Sequence, residues 1–81
     1  MFYIYIIHSQ SRQRYYVGST ESLERRLQEH NVGKSKSTRA GVPWQLVHRE
    51  DFETRSEAMA QEKKVKARGI ERYLSDLQKS G

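Results

Sequence analysis

The longest uninterrupted apolar run in this 81-residue chain covers residues 2–7. Aromatic and β-branched side chains dominate the run, and such residues favour the pleated surface of a β-strand. A strand would point alternate side chains to opposite faces of a sheet, which gives two sets: Phe2, Ile4 and Ile6 against Tyr3, Tyr5 and Ile7. The run is far shorter than the roughly 20 residues that span a bilayer, so no membrane helix is expected here.

Further elements follow along the chain, separated by turn signals. A polar segment over 9–13 leads to a second strand over 14–19, which predicts an antiparallel hairpin. Gly18 near the end of this strand indicates a bend or a close backbone approach. Thr20 is the predicted N-cap of a first helix that runs to about Asn31 and stops at Gly33. Residues 44–52 begin with the alternation of a third strand, whose place in the sheet the pattern does not fix.

Two helices are predicted in the last third of the chain. Thr54 and Glu57 form a capping box for a second helix that ends before Gly69. A stripe of apolar residues at i, i+3, i+4 and i+7 then predicts an amphipathic terminal helix. The stripe consists of Ile70, Tyr73, Leu74 and Leu77. The order β-β-α-β-α-α indicates an α/β or α+β fold with a three-stranded sheet, as one domain over residues 1–81.

Composition limits the function classes that remain. The chain has no cysteine, which excludes disulfides, thiolate zinc sites and thiol nucleophiles. No secretion signal is present, so a cytoplasmic protein is expected. Fifteen Lys and Arg against ten Asp and Glu give a net charge of +5. This excess of positive charge favours a polyanionic partner such as nucleic acid, although in many basic domains the charge serves only to keep the protein soluble.

Five polar positions stand out from the predicted elements. Tyr5 and Tyr16 lie on the two hairpin strands, where they either stabilise the sheet as an aromatic pair or supply phenols to a reaction. Arg26 and His30, spaced i and i+4, form either a solvated helix face or a phosphate contact beside the buried stripe. Glu62 falls on the apolar side of the second helix, where it is either exposed at the helix edge, paired with an arginine, or bound to a metal such as magnesium.

The same residues carry a family resemblance. Tyr3-Ile4-Tyr5 and Tyr16-Val17-Gly18, with ten residues between them, resemble the two halves of the GIY-YIG signature. The stretch G-S-T-x-x-L-x-x-R-L-x-x-H-N over 18–31 resembles the first-helix pattern of that family, and Glu62 with Lys66 resembles its acidic helix. The chain is thus similar to small stand-alone bacterial GIY-YIG proteins related to the N-terminal module of UvrC.

This resemblance implies a three-stranded antiparallel sheet flanked by helices and a metal-dependent endonuclease acting on DNA more than RNA. Glu62 would hold one Mg²⁺ or Mn²⁺, Tyr5 would help deprotonate the attacking water, and Tyr16 would share its proton network. Arg26 would bind the scissile phosphate, with His30 supporting the proton transfer or the phosphate. Weaker candidate nucleic-acid contacts are Lys34, Lys36, Arg39 and Lys66.

Two departures from the family pattern keep other functions open. Tyr3 stands where the signature begins with glycine, and the only asparagine is Asn31, whereas these nucleases often carry one late in the domain. A nucleic-acid-binding module without turnover, or an adaptor for an acidic protein, therefore remains an alternative. A monomer of low intrinsic sequence specificity is expected, with a protein partner to direct it to its targets.

Overall fold

A computed structural model describes residues 1–79, and residues 80 and 81 of the predicted domain lie outside the described part. The order is the predicted β-β-α-β-α-α, with a short 3-10 turn at Arg39–Gly41 between the first helix and the third strand. The elements are β1 Phe2–Ser9, β2 Arg14–Thr20, α1 Leu23–Asn31, β3 Trp44–Phe52, α2 Arg55–Arg68 and α3 Ile70–Lys79.

The apolar run forms the central strand of an antiparallel sheet in the order β2-β1-β3. Ile6 of β1 lies opposite Val17 of β2 on one side and His48 of β3 on the other. Helices cover both faces, so residues 4–7 are almost completely buried whichever way they point. Burial on both faces explains why this segment is continuously apolar while β2 and β3 are not.

Two hydrophobic clusters occupy the two faces of the sheet. On one face Ile4, Ile6 and Val17 pack with Ala58 and Val65 of α2, and α3 adds partly buried side chains. On the other face the cluster is built on Tyr5, Ile7 and Trp44, with partly buried partners that include Leu23 and Leu27 of α1. The predicted alternation along β1 is therefore confirmed, and it places Tyr5 on the face that α1 covers.

Most helix ends follow the sequence signals. Thr54 Oγ1 accepts from the N–H of Glu57 at 3.1 Å and the Glu57 side chain accepts from the N–H of Thr54 at 3.2 Å, which completes the predicted capping box. Gly33 ends α1 with a φ of 78°, a left-handed conformation that favours glycine.

The start of α1 and two apolar positions differ from the prediction. Thr20 is not the N-cap, because it still pairs with Tyr3 in the sheet, and Ser22 takes that position instead. Leu77 at the end of the predicted α3 stripe is 38% exposed, and Met59 beside Glu62 is 54% exposed. The buried side of α2 is therefore narrower than its pattern indicated. In residues 1–79 no helix is long and apolar enough to cross a membrane.

Candidate active site

Tyr5 is the centre of a polar cluster under α1. It is 1% exposed, and its ring lies across the sheet over Gly18, its direct partner on β2. A Cβ atom at position 18 would be only 2.5 Å from the phenol oxygen, so only glycine leaves room for this ring. The close approach predicted for Gly18 is confirmed, and its purpose is to admit the tyrosine.

His30 of α1 holds the phenol from the opposite side. Its ring is completely buried, with Nε2 2.8 Å from Tyr5 Oη and Nδ1 2.7 Å from Thr38 Oγ1. The interpretation of residues 26 and 30 as a solvated helix face is therefore wrong for His30. A buried histidine with both ring nitrogens hydrogen-bonded has a fixed ring orientation and tautomer.

The direction of these hydrogen bonds follows from the last acceptor in the series, which is the carbonyl oxygen of Ser35. Thr38 Oγ1 donates to the carbonyl oxygen of Ser35, so it accepts from His30 Nδ1–H. Burial, together with the positive charge of Arg26, lowers the pKa of His30, which is therefore neutral near pH 7. A neutral imidazole that donates through Nδ1 must accept through Nε2, so the Tyr5 hydroxyl donates to it. A proton on Tyr5 thus has a ready acceptor.

Arg26 supplies positive charge next to this cluster. Its Nη1 lies 3.1 Å from Glu29 Oε1, a contact that fixes the guanidinium one turn before His30. Burial raises the pKa of Tyr5 to about 12, while the Arg26 guanidinium acts in the opposite direction. Tyr5 is accordingly protonated at neutral pH, and Arg26 would favour any negative charge that develops on its oxygen or nearby.

Tyr16 completes the aromatic part of the cluster. It lies opposite Ile7 on β2, on the same sheet face as Tyr5, and the two phenol rings have centroids 6.4 Å apart. The Tyr16 ring also meets the His30 ring edge-on at 5.2 Å. Tyr16 remains partly exposed, in contrast to Tyr5 and His30, so it is the more accessible of the two phenols.

Glu62 approaches the cluster from α2. Its side chain is 20% exposed, and its Oε2 lies 2.8 Å from Lys66 Nζ. It contributes to the raised pKa of Tyr5, which indicates that the carboxylate acts electrostatically on the phenol. The ion pair with Lys66 also raises the pKa of that lysine.

Glu62 is a suitable single ligand for a magnesium-like cation. It lines an open concavity together with Met59, Ala60, Lys63 and Lys66, which gives access from solvent. No group of three or more potential ligands among His, Cys, Asp and Glu surrounds it within residues 1–79. Magnesium needs only one or two protein carboxylates and keeps several waters, so this donor set fits Mg²⁺ and does not fit a structural zinc ion.

Three of the remaining basic residues of the prediction lie in the segment between α1 and β3, and the fourth lies on α2. Lys34 pairs with Glu29 at 3.7 Å, and Arg39 donates through Nε to the carbonyl of Gly33 at 2.9 Å. Lys36 is exposed in the same loop. Lys66 is the one of the four that joins a predicted site residue, through its pairing with Glu62.

Three supporting residues were not identified from the sequence. Glu29 fixes Arg26, and its i, i+3 spacing from that arginine was the available signal. Thr38 holds His30 across a loop, which no local pattern reveals. Asn31 ties α1 to β3: it accepts from the N–H of Trp44 at 2.6 Å and donates to the carbonyl of the same residue at 3.0 Å.

Comparison with known proteins shows the family of this chain. The model of the GIY-YIG catalytic domain matches residues 1–73. The UPF0213 protein of Haloquadratum walsbyi is 46% identical over 66 residues, which cover 80% of this chain and 73% of the relative. A UPF0213 protein of Bacillus velezensis is 39% identical over an alignment of 83 positions, which covers 98% of this chain and 81% of the relative.

A solved structure shows the same fold. The solution NMR structure of the UPF0213 protein BH0048 from Bacillus halodurans superposes with a TM-score of 0.59 at 31% identity, over 100% of this chain and 87% of that one. With the family model spanning nearly all of the described residues, the chain belongs to the GIY-YIG family of nucleases.

Proposed function

We propose that this protein is a metal-dependent endonuclease that hydrolyses phosphodiester bonds in DNA. One observation carries the proposal: the hydrogen-bond chain from Tyr5 through His30 to Thr38 lies next to an arginine and a partly exposed carboxylate. The hydrogen-bonded side chains can accept a proton. The guanidinium of Arg26 can stabilise a phosphoryl group, and the carboxylate of Glu62 can hold a cation. These are the three tasks of phosphodiester hydrolysis.

The proton of the attacking water would pass into the sheet through Tyr5. As the water oxygen forms its bond to phosphorus, the phenol oxygen takes the water proton and Tyr5 gives its own proton to His30 Nε2. Concerted transfer avoids a free phenolate, which would be unfavourable at a pKa of about 12. The bond from phosphorus to the leaving sugar oxygen breaks, and that oxygen takes a proton from solvent.

The charge that develops on phosphorus would be stabilised from two sides. Arg26, one-third exposed and fixed by Glu29, can present its guanidinium to the non-bridging oxygens. Glu62 would hold a divalent cation such as Mg²⁺ or Mn²⁺, which polarises the phosphoryl oxygen when bound. Tyr16 would orient the water or share its hydrogen bonds, because it lies between the buried phenol and solvent.

A cleavage panel tests this proposal. Purified protein should nick single-stranded, duplex or branched DNA with Mg²⁺ or Mn²⁺, and EDTA should stop the reaction. Glu62→Gln should abolish cleavage, whereas Glu53→Gln, which removes an exposed carboxylate between β3 and α2, should leave it unchanged. Cleavage that survives Glu62→Gln would show that the nuclease is a contaminant or that the cation binds elsewhere.

The second candidate is a nucleic-acid-binding module that lacks turnover. The ion pair between Glu62 and Lys66 favours it, because a cation must compete with that lysine for the carboxylate. The absence of a late asparagine from the sequence favours it as well. A salt-dependent shift of DNA mobility without cleavage under either metal would support this function instead.

The wider setting is part of the same proposal. We expect a cytoplasmic monomer with DNA favoured over RNA, and a protein partner that supplies the choice of target. Size-exclusion chromatography of the purified protein tests the monomer, and parallel cleavage of matched DNA and RNA strands tests the preference. Preferential cleavage of RNA would contradict it.

A further inference from the structure

A second concavity opens beside the candidate active site, between the β1–β2 hairpin and the loop before β3. Its volume is about 230 Å³. The hairpin side consists of Arg12, Arg14, Tyr15 and Tyr16, and the loop side includes Ser37, Thr38 and Trp44. Arg12, Arg14 and Ser37 are not among the predicted site residues.

Positive charge is concentrated at this concavity without an acidic counterpart. Arg12 and Arg14 are exposed, and within residues 1–79 neither forms an ion pair with an acidic side chain. By contrast, Arg49 and Arg68 are paired with aspartates. Arg12 uses Nε to donate to the carbonyl of Ala40 at 3.2 Å, which accounts for one of the five donors of a guanidinium.

The chemistry of the walls favours a nucleotide over a simple anion. The ring of Tyr16 lines it and is partly exposed, and base–aromatic stacking is a main contributor to the binding of single strands. Trp44 packs edge-on against the Tyr16 ring, with the two ring centroids 6.4 Å apart. Arginines that bind phosphate, next to a ring that stacks on a base, together match one nucleotide.

The concavity is continuous with the candidate active site. Tyr16 lines it and also contacts the rings of Tyr5 and His30, while Thr38 lines it and bonds to His30. A ligand seated here is therefore one or two side chains away from the proposed reaction. The volume lies below the roughly 300–1,000 Å³ of drug-sized sites, which suits one nucleotide better than a base pair.

We propose that this concavity binds an unpaired nucleotide next to the scissile phosphate, with Arg12 and Arg14 on its phosphate and Tyr16 against its base. This inference rests on the proposed function, and it adds the substrate class. The protein would hold one strand that is locally single, as in a single strand, a flap or a frayed end. A fully paired duplex would lack the nucleotide that the concavity accepts.

Binding measured without cleavage tests the inference. The probe is a fluorescein-labelled single-stranded DNA of 12 nucleotides, followed by anisotropy in EDTA at several salt concentrations, beside a labelled duplex of the same sequence. Arg12→Gln/Arg14→Gln should weaken single-strand binding at least tenfold and make the salt dependence shallower, because phosphate contacts are lost. Lys64→Gln/Arg72→Gln removes the same charge from exposed helix positions outside the concavity and serves as the matched control.

A second variant checks the site by adding charge to it. Ser37→Asp places a carboxylate on the exposed rim and should also weaken binding of the single strand, while thermal unfolding stays close to that of the wild type. If the two double variants bind the single strand equally, the inference is wrong. Tighter binding of the duplex than of the single strand by the wild type would also overturn it.

The outcomes separate this inference from the nuclease proposal. Arginine-dependent binding of the single strand without cleavage in Mg²⁺ or Mn²⁺ would keep the nucleotide site and refute the nuclease. Cleavage by wild type and Arg12→Gln/Arg14→Gln at equal rates, with equal affinity, would keep the nuclease and refute the nucleotide site.

Discussion

Replacement of Gly18 by alanine should displace the phenol of Tyr5 and so disable the site without removing any polar group. The added Cβ would lie 2.5 Å from the phenol oxygen, 2.7 Å from Cζ and 3.1 Å from Cε1. Carbon atoms in contact prefer about 3.5–4.0 Å, so the tip of the ring must move by about 1 Å. Tyr5 is 1% exposed, which leaves the ring little free space to enter.

The cost of this movement follows from general packing energetics. Overpacking a filled core costs about 1–3 kcal/mol, and each kcal/mol lowers the melting temperature of a domain this small by about 4–8 °C. The movement also breaks the 2.8 Å contact between Tyr5 and His30. A misplacement of about 1 Å at a reacting group reduces rates by about 10²-fold, so cleavage should fall by about that factor.

Thermal unfolding and DNA cleavage of Gly18→Ala measure these two effects. Ser19→Ala, the neighbouring position on β2, adds no atom and should stay within about 0.5 kcal/mol of the wild type. Combining Gly18→Ala with Tyr5→Phe removes the oxygen at the shortest contact, so it should recover part of the stability and none of the cleavage. A Gly18→Ala protein with wild-type melting temperature and cleavage would refute the argument that the ring needs the missing side chain.

Three further predictions concern the supports of the site and of the fold. Asn31→Ala removes both hydrogen bonds to the backbone of Trp44 and should lower the free energy of unfolding by about 1–3 kcal/mol, measured in urea. Tyr73→Phe removes the bond that its hydroxyl donates to Glu50 and should cost about 1 kcal/mol in the same assay. Because the pKa of His30 is lowered in the folded state, the unfolded chain binds its proton more readily, so stability should be fully present above about pH 6.5 and decline as the pH falls below it. Unfolding curves from pH 7.5 to 5 should show this decline for the wild type and a flatter profile for His30→Gln, and equal slopes would contradict the burial argument.

The elements of the fold were predictable where local chemistry decides them. The capping box at Thr54 specifies the start of α2, and the left-handed Gly33 marks the end of α1. The composition of β1 predicts a strand. It does not predict the central position of that strand, because the strand order depends on how β3 pairs with β1. The prediction of Thr20 as the N-cap of α1 is wrong because threonine is also stable at a strand end. Pairing with Tyr3 on β1 keeps this residue in β2.

The candidate site was predictable in its members and not in its support. The predicted hairpin placed Tyr5 and Tyr16 on adjacent strands, and the i, i+4 spacing placed Arg26 and His30 together. Complete burial of His30 could not be inferred, because the partner that makes it possible, Thr38, lies in an irregular loop. Hydrogen bonds between a helix and a loop leave no periodic signal in a sequence.

The loop before β3 gives the protein an optical probe of its own site. Trp44 is the only tryptophan in the chain, and its indole N–H donates at 2.7 Å to the carbonyl of Thr38, whose hydroxyl holds His30. The indole is 7% exposed and lies edge-on to Tyr16. Any event that loosens Thr38 or moves Tyr16 must therefore change the surroundings of the single indole. Intrinsic fluorescence excited at the tryptophan reports on the same few side chains that position the proton acceptor, with no label introduced.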